Sequence, residues 1–110
     1  MPLSRKIAYV DLSTGEIDIK PIPLAIRKKY LGGRGLDMYI LYNHIKPGID
    51  ALGPENVICI SAGILVATPS SASGRTHVAA KSPLTNFIGS TNMGGFFAAE
   101  LRFAGIDRLV

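Results

Sequence analysis

Apolar and polar residues alternate through residues 6–11 and again through 16–20, with Ser13, Thr14 and Gly15 between them. That period of two about a glycine-containing turn predicts a β-hairpin at the start of the chain. Pro21 and Pro23 are expected to end its ladder, and 24–31 reads as a short helix stopped by Gly32 and Gly33. After Gly35, the spacing of Leu36, Ile40 and Leu41 predicts a second amphipathic helix ending before Pro47 and Gly48, with Met38 and Ile45 less regularly placed. Residues 56–61 form a continuous apolar run bounded by turn residues and read as an interior strand; 76–80 is a second strand candidate. The Ser, Thr, Pro and Gly of 67–74 place a loop between them that faces solvent or ligand. From Gly94 onward, Phe97, Leu101 and Ala104 follow a helical spacing that stops at Gly105, and Leu109 and Val110 look like the start of another strand. An apolar end of this kind is expected where a chain has been cut or a partner completes the sheet.

Composition narrows the class. A chain of 110 residues that is 47% hydrophobic supports one modest core, hence one globular domain. Charged residues make up 18%, below the roughly 25% of soluble domains, which points to apolar surface covered by something else. The net charge of +4 is scattered apart from Arg27, Lys28 and Lys29, which fit a solvated helix face. Without interleaved aromatic residues this pattern argues against nucleic acid as a partner. The single cysteine, Cys59, lies in an apolar run and reads as a buried structural thiol in a reducing cytoplasm. No stretch has the length of a membrane span, and the first residues lack a signal-peptide core, so a cytoplasmic protein is expected.

Catalytic constellations are sparse. His44 and His77 have no cysteine or carboxylate at metal-ligand spacing and read as structural or exposed. The eight acidic residues, Glu16, Asp18 and Glu100 among them, are dispersed singly, so no acid-base pair emerges from spacing. Two glycine-rich segments remain. Gly32, Gly33, Arg34 and Gly35 fit either a phosphate nest or a structural turn between helices. The segment Asn92, Met93, Gly94 and Gly95 precedes the last helix, where amides near a helix N-terminus favour phosphate. Arg75, after Gly74, offers a permanent charge and a planar fork of donors beside backbone that a flat ligand can approach closely.

Taken in order, Tyr30 to Leu36, Leu52 to Asn56, Ser73-Gly74-Arg75, Lys81-Ser82-Pro83-Leu84-Thr85 and Asn92 to Gly105 closely resemble the N-terminal region of aldehyde ferredoxin oxidoreductases. The resemblance spans nearly the whole chain. It implies an α+β fold: a mostly antiparallel β-sheet with short helices, forming half of the family's N-terminal pterin-binding domain, with 1–110 an incomplete part of it. Family members are tungsten or molybdenum oxidoreductases that convert aldehydes to carboxylic acids and pass electrons through a four-iron (4Fe-4S) iron-sulfur cluster to ferredoxin. The superfamily also includes active-site subunits of benzoyl-CoA reductases.

The resemblance further implies a bis-pterin cofactor, tungstopterin or molybdopterin, with Arg75 between pterin and cluster. It implies that the backbone carbonyl of Asn92 helps hold a magnesium ion bridging the pterin phosphates, and that Gly94 makes a backbone contact to the pterin. The family's cluster cysteines and its glutamate and histidine near the metal find no counterpart in this sequence, so catalysis by this chain alone is not expected. Met93 is bulkier than the small residue such a pocket favours. The expected partners are ferredoxin for the complete enzyme, the remainder of that enzyme or a second subunit, and a further copy of the chain. The alternative is a non-catalytic pterin-binding or scaffold subunit of a split oxidoreductase.

Overall fold

The computed structural model describes residues 5–110. Six strands form one mixed sheet: β1 (Lys6–Val10), β2 (Ile17–Pro21), β3 (Ile58–Ala62), β4 (Thr76–Lys81), β5 (Ile88–Met93) and β6 (Arg108–Leu109). Their order across the sheet is β2-β1-β6-β3-β4-β5. Only β1 and β6 run parallel; every other neighbour pair is antiparallel. Three helices, α1 (Leu24–Tyr30), α2 (Gly33–His44) and α3 (Phe97–Phe103), complete the α+β fold. No helix among the described residues is long and apolar enough to cross a membrane.

The opening hairpin follows the alternation. Asp11 Oδ1 accepts from the Ser13 and Thr14 amides at 2.8 and 3.3 Å, and Gly15 takes the left-handed φ of +76° that the turn requires. Pro21 does not break the ladder; it is the last residue of β2 and pairs with Lys6. The strand lies at the sheet edge, where a missing N–H costs nothing.

Helix α1 ends as Leu31 turns to φ +60°, and α2 starts at Gly33, two residues before the expected point. Leu36, Ile40 and Leu41 are buried as the spacing predicts, packing with Ile7, Ile22, Cys59 and Ala79 into the main core. By alternation, Cys59 and Ser61 of β3 face α2, together with His77 and Ala79 of β4. The opposite face is covered at one end only. There Ala98 of α3 packs with Ala62 and Val66, while Ile17, Ile19 and Ile58 stay at least half exposed. The 56–61 segment is thus interior in sheet order but buried on one face, not two.

Two further expectations are corrected. On α3 the buried positions are Ala98 and Arg102, while Phe97 is 44% exposed, so the aromatic residues of that helix point away from the core. The segment 88–93 is itself a strand, β5, rather than the approach to a helix.

Candidate functional site

Strand β4 begins directly after Arg75, and β5 ends at Met93, so the residues of interest cluster at one corner of the β4–β5 hairpin. Thr76 pairs with Met93 and His77 with Asn92. The register continues past the strand ends: a Cβ on Gly74 would sit 3.1 Å from the Gly95 carbonyl oxygen, so the two backbones are in close approach there. Arg75, Asn92 and Gly94 are therefore brought together, although 17 and more residues separate Arg75 from the others in sequence. All three are exposed. The Arg75 guanidinium forms no ion pair with a carboxylate among the described residues.

The backbone at this corner is shaped locally. The Arg75 amide donates to Ser73 O at 2.8 Å, and Arg75 O accepts from Gly63 at 3.3 Å. Gly95 has φ +98°, and side-chain atoms added at Gly94 or Gly95 would enter open space, so this turn presents bare backbone outward. Asn92 and Met93 lie in β5, and α3 starts only at Phe97; a helix N-terminus is not what places Asn92. An open cleft of about 590 Å³ runs between Gly32, Gly33 and Gly35 on one side and Gly63, Ile64 and Ser73 on the other, without including Arg75, Asn92 or Gly94 in its lining.

The glycines of that cleft answer to packing. A Cβ at Gly35 would lie 2.7 Å from Tyr30 O and one at Gly32 2.9 Å from Ile64 Cγ1. Gly35 is required for close approach within the α1–α2 junction and Gly32 for packing against Ile64, which favours the structural-turn reading of the Gly32–Gly35 segment over the phosphate nest.

Beneath the corner lies a buried polar group that sequence spacing did not reveal. Asp37 of α2 has no exposed surface; its Oδ2 accepts from Ser61 Oγ at 2.5 Å and from His77 Nδ1 at 2.6 Å. Arg108 Nε stands 3.1 Å from Asp37 Oδ1, an ion pair by distance rather than a directed hydrogen bond. Arg108 Nη2 donates to Gly33 O at 3.3 Å. On its other side, His77 Nε2 meets Ser90 Oγ of β5 at 2.8 Å. Burial pulls the Arg108 pKa down, opposed by the Asp37 charge beside it. A signal for this group was present: Asp37 stands three and four residues before Ile40 and Leu41 on the apolar stripe of its helix.

A second set ties α3 to the 63–66 turn. Arg102, fully buried, donates from Nη1 to Ile64 O and Val66 O at 3.0 and 3.1 Å, and its Nη2 is 3.5 Å from Asp107. Arg5 approaches the same carboxylate at 3.4 Å. Desolvation lowers the Arg102 pKa, with Asp107 opposing. Cys59, buried and free, has its thiol pushed up to about 12, first by burial and then by the Asp37 charge, which makes it an inert core residue. His44 is exposed in the last turn of α2, where its Nδ1 donates to Ile40 O at 2.9 Å. Among the described residues, no group of three or more His, Cys, Asp or Glu side chains stands close enough to hold a metal ion.

The sequence and the fold find their counterpart in known proteins. The family model for the aldehyde ferredoxin oxidoreductase N-terminal domain matches residues 7–110. The chain belongs to the aldehyde ferredoxin oxidoreductase family. It is 48% identical over 101 residues to the tungsten-containing aldehyde ferredoxin oxidoreductase of Pyrococcus furiosus and 46% identical to that of Thermococcus kodakarensis, covering 92% of this chain in both cases. It is 31% identical to an aliphatic sulfonate oxidoreductase, WOR-like subunit, from Pyrococcus furiosus. The chain spans 17% of the length of each of these relatives. Among solved structures, a chain of the active site complex BamBC of benzoyl coenzyme A reductase superposes with a TM-score of 0.95 at 34% identity, over 98% of this chain and 16% of that one. The α+β domain is therefore a shared N-terminal part of larger oxidoreductases, some of them built from several subunits.

Proposed function

We propose that this chain forms one wall of a bis-pterin site, tungstopterin or molybdopterin, in a cytoplasmic aldehyde ferredoxin oxidoreductase. The observation that carries the reading is the convergence of Arg75, Asn92 and Gly94 on one exposed corner, where the turn leaves backbone bare. The residues fit such a group. An unpaired, exposed guanidinium suits a phosphorylated anion, and glycine backbone without side chains lets a flat ring system approach. In this reading Arg75 neutralises and orients the pterin on the side of the four-iron cluster. The Asn92 carbonyl, a hard oxygen donor, would help hold a magnesium ion that offsets phosphate charge, and Gly94 would make a backbone contact to the pterin.

The bound metal-pterin group supplies the redox chemistry: aldehyde and water give carboxylic acid, two protons and two electrons, the electrons passing through the cluster to ferredoxin. The part of this chain is to bind and orient. Residues 1–110 are then the first portion of the pterin-binding domain, and the open sheet face bearing Ile17, Ile19 and Ile58 is where the remainder of the enzyme, a second subunit or another copy packs. The second reading is a non-catalytic pterin-binding or scaffold subunit of a split oxidoreductase; the relatives described as a WOR-like subunit and as an active site complex show that this domain also occurs in multi-subunit enzymes.

Arg75→Ala in the intact protein tests the assignment. Because Arg75 is exposed, folding stability should stay within about 0.5 kcal/mol of the parent while tungsten or molybdenum content and pterin content fall together. Unchanged occupancy would refute the role given to Arg75.

A further inference from the structure

Strand β5 is an edge strand that buries almost none of its side chains. Five of its six residues are exposed apart from the half-buried Gly89, and only β4 lies beside it. Yet it carries Asn92 and leads into Gly94. Besides the backbone ladder, one run of side chains ties it to the core: Asp37 Oδ2 to His77 Nδ1 at 2.6 Å, then His77 Nε2 to Ser90 Oγ at 2.8 Å.

We propose that Asp37, His77 and Ser90 form a clamp that positions the Asn92–Gly94 edge, with His77 and Ser90 as positioning residues for the cofactor. The proposal rests on the reading of that edge as the cofactor-holding surface. His77 lies directly opposite Asn92 in the register but bonds to Ser90, which is paired with Ala79, so the contact is a diagonal across the ladder. A diagonal bond resists both sliding of β5 along β4 and rotation of the strand about its own axis. The imidazole in turn is fixed because its Nδ1 hydrogen meets a carboxylate with no freedom to move: Asp37 is fully buried and also held by Ser61 and Arg108. In the neutral ring Nε2 is left to accept the Ser90 hydroxyl.

The order carboxylate, imidazole, serine is also that of a nucleophilic relay. Here the run ends on a hydroxyl of the exposed edge strand, two residues before Asn92 and opposite the strand that carries His77. Positioning is what the geometry supports.

Hydrogen exchange followed by mass spectrometry on the intact protein, together with its tungsten, molybdenum and pterin content, tests this. Ser90→Ala changes an exposed side chain and leaves the core alone. It should speed exchange in the segment 88–93 about 5-fold, the factor expected for one net hydrogen bond, without altering segment 58–62, and cofactor content should fall. Ser90→Thr, which keeps the hydroxyl, should restore both; a merely structural loss of the strand would not be rescued in this way. Unaltered exchange in Ser90→Ala would overturn the clamp. Faster exchange with parental cofactor content would overturn its positioning role, whereas parental protein devoid of both metals would refute the cofactor site itself and leave the exchange result to decide the clamp.

Discussion

Replacing Asp37 by alanine is the most revealing perturbation of this fold. The change leaves Arg108, 1% exposed, without the carboxylate 3.1 Å away, and strips the acceptor from Ser61 and His77. Removing one partner of a buried ion pair costs about 3–5 kcal/mol, because the other charge stays desolvated. The stranded hydroxyl and imidazole add to this, though not in full, since all three partners share one acceptor site and relax together. Small domains have only about 5–15 kcal/mol in total, so the variant should be marginal. Urea unfolding followed by circular dichroism reads the effect. With an m-value of about 2 kcal/mol/M, the midpoint should fall by about 2 M or the cooperative transition should vanish. Adding Arg108→Met removes the stranded charge and should recover part of the loss, giving a coupling of about 2 kcal/mol. A midpoint within about 0.5 M of the parent at unchanged m would refute the claim that this buried group holds α2 to the sheet.

Cys59 should resist alkylation at pH 8–9 in the folded protein and react once urea unfolds it, because burial holds its thiol protonated. Its folded pKa of about 12 lies above the ordinary 9.0, so the unfolded state loses the proton first as pH rises; stability should decline from about pH 9 toward 12, and a flat profile in alkaline urea titrations would contradict this. Gly35→Ala sets a gain of about 1 kcal/mol in helix propensity against a Cβ 2.7 Å from the Tyr30 carbonyl oxygen, and the clash with backbone should win, lowering thermal stability by about 1–3 kcal/mol. An Ala variant as stable as the parent would show that the α1–α2 junction is not tight.

The hairpin, both early helices and strands β3 and β4 were legible because their periodicities are strong and their ends carry Gly or Pro. Strand β5 was not. Ile88 to Met93 holds a glycine and three polar residues and buries neither face, so the strand exists through its pairing with β4 rather than through alternation. For the same reason Asn92 reads from the sequence as lying beside a helix start, which is in fact five residues further on, at Phe97. The corner itself was foreshadowed by Gly74-Arg75 and the Asn92 to Gly95 run, but only the register brings the two together. The pairing of Asp37 with His77 spans 40 residues and is made by α2 crossing β4, a contact that local spacing cannot encode. The burial of Arg102 was hidden similarly: it sits one helical turn after Ala98, in a position where apolar residues are the usual occupants.

The central claim, that this chain helps to hold a metal-pterin cofactor, is tested most directly by plasma mass spectrometry for tungsten, molybdenum and iron on the intact protein purified without oxygen. Tungsten or molybdenum together with about four irons per metal is expected, as one four-iron cluster requires. Folded protein devoid of tungsten and molybdenum would contradict that claim.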